Sequence, residues 1–234
     1  MRILFIRHGD PNYTDDCLTP LGHVQAKAAA ERVKNEGISR IYSSSCGRAY
    51  ETALYAAELL QLPVEQLDFM RELSWGWADE AAGKRAHPWE CAKEILCAEG
   101  VDPMRTEAWR EHRYFVNSDP LTTLVDAAVD GFDAILAQHG YVRCGDVYRC
   151  VRPSDETIAL YSHGGSSSAV VAHMLNMTFL QFCAICEPER TSITTLTMKT
   201  NADGLAIPLV EIMNDHRHIL GLSVEGEKTC VSFS

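Results

Sequence analysis

Two apolar runs in this chain stop at the same punctuation. Ile3-Leu4-Phe5-Ile6 ends at Arg7-His8-Gly9, and Thr157-Ile158-Ala159-Leu160-Tyr161 ends at Ser162-His163-Gly164-Gly165. Continuous apolar runs bounded by glycine read as strands buried on both faces, the pattern of a parallel sheet. Open α/β sheets bind ligands in the crevice beyond the carboxyl ends of their strands. His8 and His163 are therefore expected at one edge of one sheet, each followed by a glycine that lets the backbone approach a ligand. Two convergent imidazoles beside Arg7 point to chemistry on an anion.

The 234 residues, 46% of them hydrophobic, suffice to bury a full core as one large domain or a domain with an insertion. A formal net charge of −11 argues against a nucleic-acid partner, since a phosphate backbone demands a basic surface. It leaves open a small phosphorylated substrate, which a local cluster of Arg and His would hold while the outer surface stays acidic. No stretch approaches the roughly twenty apolar residues of a membrane span, so no membrane partner is expected. Nine cysteines are scattered without paired spacing, and no signal-like segment precedes the first strand. The expectation is a cytoplasmic protein with reduced thiols. Oligomeric state is not legible.

Along the chain, Thr19 and Pro20 start a helix as N-cap and first residue, and Gly37 closes that segment. Arg40 to Ser43 reads as a strand, residues 48–60 as a helix packed through Ala53, Ala56, Ala57 and Leu60, and Val64 as the centre of a short strand. From Ser74 to about Pro120 the texture changes: all four tryptophans, Trp75, Trp77, Trp89 and Trp109, lie there among many charges. This reads as a helical insertion at about 74–120, either a lid over the site or a subdomain packed for stability. A helix resumes over residues 121–139, another spans 166–175, and the segments 191–199 and 207–213 alternate as strands do. There are no internal repeats. The fold class that follows is three-layer α/β/α with a mostly parallel central sheet and a helical insertion, a single domain over residues 1–234.

A neutral imidazole nitrogen attacks phosphorus and splits transfer into two easier steps. Arginine suits the same site, because its planar fork binds phosphate oxygens bidentately and keeps its charge. A lone strand-end His is ordinarily satisfied by its neighbours, but His163 and Arg7 together favour a site. Arg48 opens a helix, where the dipole disfavours a cation. It makes sense there if a bound anion is shared between Arg48 and the helix N-terminus.

Arg7-His8-Gly9, Arg48 with Glu51-Thr52, Arg71-Glu72-Leu73 and Ser162-His163-Gly164 together resemble the histidine phosphatase superfamily, the phosphoglycerate-mutase-like fold. The run Leu18-Thr19-Pro20-Leu21-Gly22 through Gln25-Ala26 fits as well. The resemblance covers roughly residues 1–73 and 155–198. It implies that His8 is the nucleophile that is transiently phosphorylated, and that Arg7, Arg48, His163 and Gly164 complete the phosphate pocket. Glu72 would protonate the leaving oxygen and then take a proton from the attacking water. Asp68, Asp79 and Glu80 lie close enough in sequence to compete for that role. No metal and no other cofactor is required. Mutases of the family usually follow the corner with an acidic, then a hydroxyl residue, and an asparagine shortly after. Here Asp10 is acidic but Pro11 and Thr14 stand in the next positions, which favours a phosphatase over a phosphomutase. A phosphate-binding domain that has lost turnover is the reading from another class.

Other motifs carry less. His216 and His218 are spaced to share a strand face, without a third ligand. Cys183 and Cys186 have redox-motif spacing but sit in an apolar, helical stretch that suits buried packing cysteines. The sequons at Asn12 and Asn176 mean nothing in a cytosolic chain.

Overall fold

The computed structural model describes residues 1–223, so the last part of the expected 1–234 domain lies outside the described residues. The sheet strands are β1 (Arg2–Arg7), β2 (Ile38–Ser44), β3 (Val64–Leu67), β4 (Tyr141–Cys144), β5 (Val147–Cys150), β6 (Thr157–Ser162), β7 (Ile193–Thr200) and β8 (Leu205–Asp215). They form one eight-stranded sheet in the order β3-β2-β6-β1-β7-β8-β5-β4. From β3 to β1 every pairing is parallel; from β1 to β4 every pairing is antiparallel. Of these eight strands, β7 and β5 run against β1, so the sheet is mostly parallel in direction, with one wholly parallel half.

Alternation along β1 explains the layers. Leu4 and Ile6 pack with Ala30, Val33, Ala53 and Ala56 from helices α1 (Pro20–Val33) and α2 (Gly47–Leu60). Ile3 and Phe5 face the other way, onto Phe132, Ile135, Leu136 and Val170 from α4 (Asp119–Gln138) and α5 (Gly164–Met174). A strand covered on both faces has no position for a polar side chain until it leaves the sheet. Thr19 caps α1 by accepting from the Gly22 N–H at 3.1 Å, with Pro20 as the first helical residue. Helix α1 ends at Val33, and Gly37 (φ 72°) serves the turn beyond it rather than the helix end itself.

Two local expectations change, and one hairpin was not expected. The segment 74–120 opens on a two-stranded hairpin, Trp77–Asp79 with Lys84–Arg85, and its one full helix is α3 (Pro88–Glu99). Gly83, at φ 68°, provides the left-handed turn that returns the hairpin, and the Arg85 guanidinium lies over the Trp77 ring at 4.3 Å. The β4–β5 hairpin lacks an apolar run because Arg143 and Arg149 interrupt it; the Gly145-Asp146 loop, with Gly145 at φ 61°, makes the turn. Strand β8 ends at Asp215, so His216 and His218 share no strand face; His218 instead sits in a 3-10 turn beside Thr191 Oγ1 at 3.0 Å.

The 74–120 segment has its own core, with Trp89, Cys91, Ile95, Met104, Trp109 and Phe115 packed on Leu121 and on Phe179 of α6 (Phe179–Ile185). Cys183 is buried in α6 and Cys186 just after it, as packing thiols. Trp109 is fully buried, edge-on to Phe115 at 5.3 Å and 5.8 Å from Phe179. Trp109→Ala should cost about 3–5 kcal/mol by emptying this core. Urea unfolding monitored by circular dichroism measures it, and a loss below about 1 kcal/mol would contradict the packing described.

Candidate active site

Register brings the two histidines together. In the parallel β1–β6 pair Arg7 stands opposite Ser162, so the next residues, His8 and His163, leave the sheet side by side. Their ring centroids are 5.1 Å apart at 64°. The His8 N–H donates to the Ser162 carbonyl at 2.9 Å, which extends the ladder to the residue that carries the imidazole. Both rings are buried.

A contact with the backbone of the next residue fixes the His8 tautomer. Nδ1 lies 2.6 Å from the Gly9 carbonyl oxygen. A carbonyl accepts and does not donate, so Nδ1 carries the proton and Nε2 keeps its lone pair. Arg48 Nε donates towards that Nε2 at 3.4 Å. Burial, then competition with the adjacent His163 ring for a proton and the positive charges of Arg190 and Arg7, holds the His8 imidazole well below the usual histidine range. His163 is held down in the same way by burial and the charges of Arg48 and Arg7. Its Nε2 is 2.8 Å from Ser44 Oγ at the end of β2, while its Nδ1 is buried without a partner.

Arg7 and Arg48 are held differently. Arg7 Nη1 donates to the Pro188 carbonyl, and its Nε is buried without a partner. Burial and the nearby charge of Arg190 pull its guanidinium down to about 10. Arg48, in the first turn of α2, pairs through Nη1 with Asp16 Oδ1, whose other oxygen accepts from the Gly47 N–H at 2.9 Å. The helix N-terminus is thus occupied by a carboxylate of the chain itself. Sequence reasoning put a bound anion there; the geometry instead turns the Nε edge of Arg48 to His8. Thr52 locks the arrangement, accepting from Gly9 N–H at 3.1 Å and donating to the Arg48 carbonyl at 2.7 Å. Gly9 itself has no room for a side chain, because a Cβ would sit 2.6 Å from the Gly22 carbonyl oxygen.

Glu72 arrives from the end of β3. Ser162 and Ser166 both donate to the Met70 carbonyl, at 2.9 and 3.1 Å, and pin the turn that carries it. Its Oε1 accepts from the N–H groups of Leu73 (3.0 Å) and Gly165 (3.1 Å), which leaves Oε2 without a protein donor among the described residues. Burial raises the Glu72 carboxyl; those N–H groups and the charges of Arg7 and Arg48 offset part of that rise. Asp68, Asp79 and Glu80 are exposed and bond to no residue of this cluster. Arg71 reaches Ser45 Oγ at 3.2 Å, not Glu72.

Gly164 and Gly165 open α5 against the tryptophans of the 74–120 segment. A Cβ on Gly164 would lie 3.1 Å from Trp89 and 3.6 Å from Arg7 Nε, and one on Gly165 would collide with Trp75. Trp75 and Trp89 thus flank the site, while Trp109 is core and Trp77 lies at the surface. Sequence reasoning missed Ser44, Asp16, Tyr13 and Arg190. Ser44 stands at a strand end, the same signal that marks His8. Arg190 precedes β7, which is antiparallel, so its starting end meets the carboxyl end of β1. Among the described residues, no group of three His, Cys, Asp or Glu side chains is placed to hold a metal ion.

Comparison with known proteins agrees with this geometry. The family model of the histidine phosphatase superfamily (branch 1) matches residues 3–114. A Hydrogenobacter thermophilus protein assigned by name as a phosphoserine phosphatase is 35% identical over 107 residues, 41% of this chain and 50% of that protein. A Yersinia pestis protein assigned by name as a phosphoglycerate mutase is 33% identical over 85 residues, 32% of this chain and 40% of that one. The chain thus spans about half the length, or less, of these curated relatives. Among solved structures, phosphoserine phosphatase from Entamoeba histolytica, in complex with 3-phosphoglyceric acid, aligns at TM-score 0.63 and 20% identity, over 93% of this chain and 98% of that one. A mycobacterial glucosyl-3-phosphoglycerate phosphatase aligns at TM-score 0.58 and 22% identity, over 91% and 98%. These structures share the fold.

Two imidazoles kept neutral by burial have a consequence for stability. Their folded-state pKa values lie below the unfolded value of about 6.5, so on acidification the unfolded chain binds protons that the native state refuses. Stability should therefore be full above about pH 7 and fall as the pH drops below about 6.5, by up to about 1.4 kcal/mol per pH unit per group. Chemical denaturation at pH 7.5 and 5.5 reads this directly. The loss should shrink in His8→Asn and again in His8→Asn/His163→Asn; an unchanged pH dependence would contradict the assignment of neutral rings.

Proposed function

We propose that this chain, whose residues 3–114 match the family model of the histidine phosphatase superfamily, is a metal-independent phosphatase that hydrolyses a phosphomonoester through a phosphohistidine. The observation that carries this reading is the tautomer of His8: Nδ1–H is spent on the Gly9 carbonyl, and the Nε2 lone pair faces Arg48 in a pocket that keeps the ring unprotonated.

In the first step His8 Nε2 attacks phosphorus, the P–O bond to the alcohol breaks, and Glu72 gives its proton to the departing oxygen. In the second, Glu72 takes a proton from water as the oxygen attacks the phosphohistidine and the P–N bond breaks. Inorganic phosphate leaves and His8 returns to its starting state. Arg7, Arg48, His163 and the N–H at Gly164, which opens α5, surround the equatorial oxygens, where the transition state gathers charge. A raised Glu72 carboxyl suits this double duty, because the group must hold a proton at first and release it without great cost. The positive charge around the site comes from side chains, so turnover should survive EDTA.

The same residues serve a phosphomutase, which passes the phosphoryl group to a second hydroxyl rather than to water, and relatives from Yersinia and Proteus are assigned by name to that activity. Pro11 and Thr14 favour water as the acceptor. The described cysteines are free thiols, which supports a reducing, cytoplasmic setting.

Phosphate release from a panel of phosphomonoesters tests the proposal. Glu72→Gln should cut kcat on alkyl phosphates about a hundredfold or more, since their alkoxides need a proton to leave. On p-nitrophenyl phosphate, whose phenolate leaves unaided, the first step should be spared, so a stoichiometric burst of p-nitrophenol should survive. Equal loss of the first step on both would remove Glu72 from the acid role. Phosphoryl transfer to a second hydroxyl without phosphate release would make the chain a mutase. Neither release nor transfer would make it a phosphate-binding domain.

A further inference from the structure

Beside the phosphoryl pocket lies a cation that the scheme above does not use. Arg190 stands in the loop that leads into β7. That loop is fastened to the site by the Thr191 N–H, which donates to the His8 carbonyl at 3.3 Å, and by the Arg7 N–H, which donates to the Ser192 carbonyl at 3.2 Å. Thr191 takes a left-handed backbone, φ 53°, to make this connection. Arg190 is half-buried. Among the described residues its Nη1 is buried without a partner, and its Nη2 donates to the Tyr13 hydroxyl in a long bond of 3.4 Å.

The other guanidinium groups of the site are anchored, Arg7 on the Pro188 carbonyl and Arg48 on Asp16. Among the described residues no carboxylate lies within ion-pairing distance of Arg190. An ionised group with a buried, unmet N–H is costly unless an anion completes it. The place of that anion follows from the backbone. Thr191, the residue after Arg190, bonds to the His8 carbonyl, so Arg190 lies on the His8 flank of the site. Tyr13 bridges that flank, bonded to Arg190 and with its ring centroid 5.4 Å from the Arg48 guanidinium; the residue is 66% exposed.

We propose that Arg190 and Tyr13 form a second anion-binding subsite, which selects phosphomonoesters whose alcohol carries a carboxylate or a further phosphate group. A planar guanidinium fork with a free edge matches either group bidentately. The inference rests on the phosphatase reading for its substrate class, but the subsite itself is a matter of binding. Arg190 acts on specificity and touches no reacting atom.

The test measures kcat/KM for 3-phosphoglycerate, fructose 1,6-bisphosphate, glycerol 3-phosphate and p-nitrophenyl phosphate in the wild type and Arg190→Gln. Calorimetric dissociation constants for the first three are measured in His8→Ala and His8→Ala/Arg190→Gln, which bind without turnover. The wild type should favour 3-phosphoglycerate or the bisphosphate over glycerol 3-phosphate at least tenfold, and the one favoured identifies carboxylate or phosphate as the group recognised. Arg190→Gln should lose about tenfold or more on that substrate, in kcat/KM and in affinity, and less than threefold in kcat/KM on glycerol 3-phosphate and p-nitrophenyl phosphate. Equal losses on all substrates would overturn the proposal by placing Arg190 on the phosphoryl group, and so would a wild type without the preference. If the wild type hydrolyses nothing, p-nitrophenyl phosphate included, the phosphatase reading fails, while the calorimetry still decides the subsite.

Discussion

The site depends on one pairing, that of β1 with β6. Because these strands are parallel neighbours with Arg7 opposite Ser162, the backbone itself delivers two imidazoles to one point at the sheet edge. The other elements then add one component each. The end of β2 gives Ser44 to His163 and leads into Arg48, the end of β3 leads to Glu72, and the start of α5 gives the N–H groups of Gly164 and Gly165. The hydrogen bonds from Ser162 and Ser166 to the Met70 carbonyl keep the β3 exit in step with β6. A sheet buried on both faces is rigid at this edge, so the side chains are held at their separations before any ligand arrives.

Electrostatics complete what register begins. The arginines proposed to hold a phosphate also repel protons from His8 and His163, and burial acts in the same direction. On the proposed reading, the cluster that takes the anion thereby also keeps its nucleophile unprotonated. The same burial acts oppositely on Glu72, raising the carboxyl until it can carry a proton. One buried, positively charged edge thus lowers the imidazoles and raises the carboxyl, shifts in the directions that suit a nucleophile and an acid for breaking a P–O bond.

Much of this was legible from the residues alone. The strands ending at His8 and His163 are fully covered, so their apolar runs are unbroken and the polar residue that ends each is conspicuous. Thr19-Pro20 marks its helix for local reasons that the fold does not override. What the sequence hid depends on tertiary placement. Asp16 occupies the α2 N-terminus from a loop thirty-one residues ahead of Gly47, so no local pattern announces it. Arg190 reaches the site because β7 runs antiparallel to β1, and a search of strand ends overlooks a residue that comes before its strand. The hairpin at Trp77–Arg85 and the β4–β5 hairpin are short, half-exposed and rich in charge, so neither shows a clean period. Which tryptophans flank the site was a question of packing: Trp75 and Trp89 meet glycines of α5, whereas Trp109 closes a separate core.

The central claim is that His8 Nε2 becomes covalently phosphorylated, and Glu72→Gln with p-nitrophenyl phosphate offers the most direct way to see it. The phenolate leaves without an acid, but hydrolysis of the phosphohistidine lacks its base, so the intermediate should accumulate. Rapid quenching into alkali, peptide mass spectrometry and 31P NMR should find up to one acid-labile phosphoryl group per chain, on the Nε2 nitrogen of His8. A phosphoryl group on His163, or steady turnover with no phosphohistidine at any time, would contradict the account.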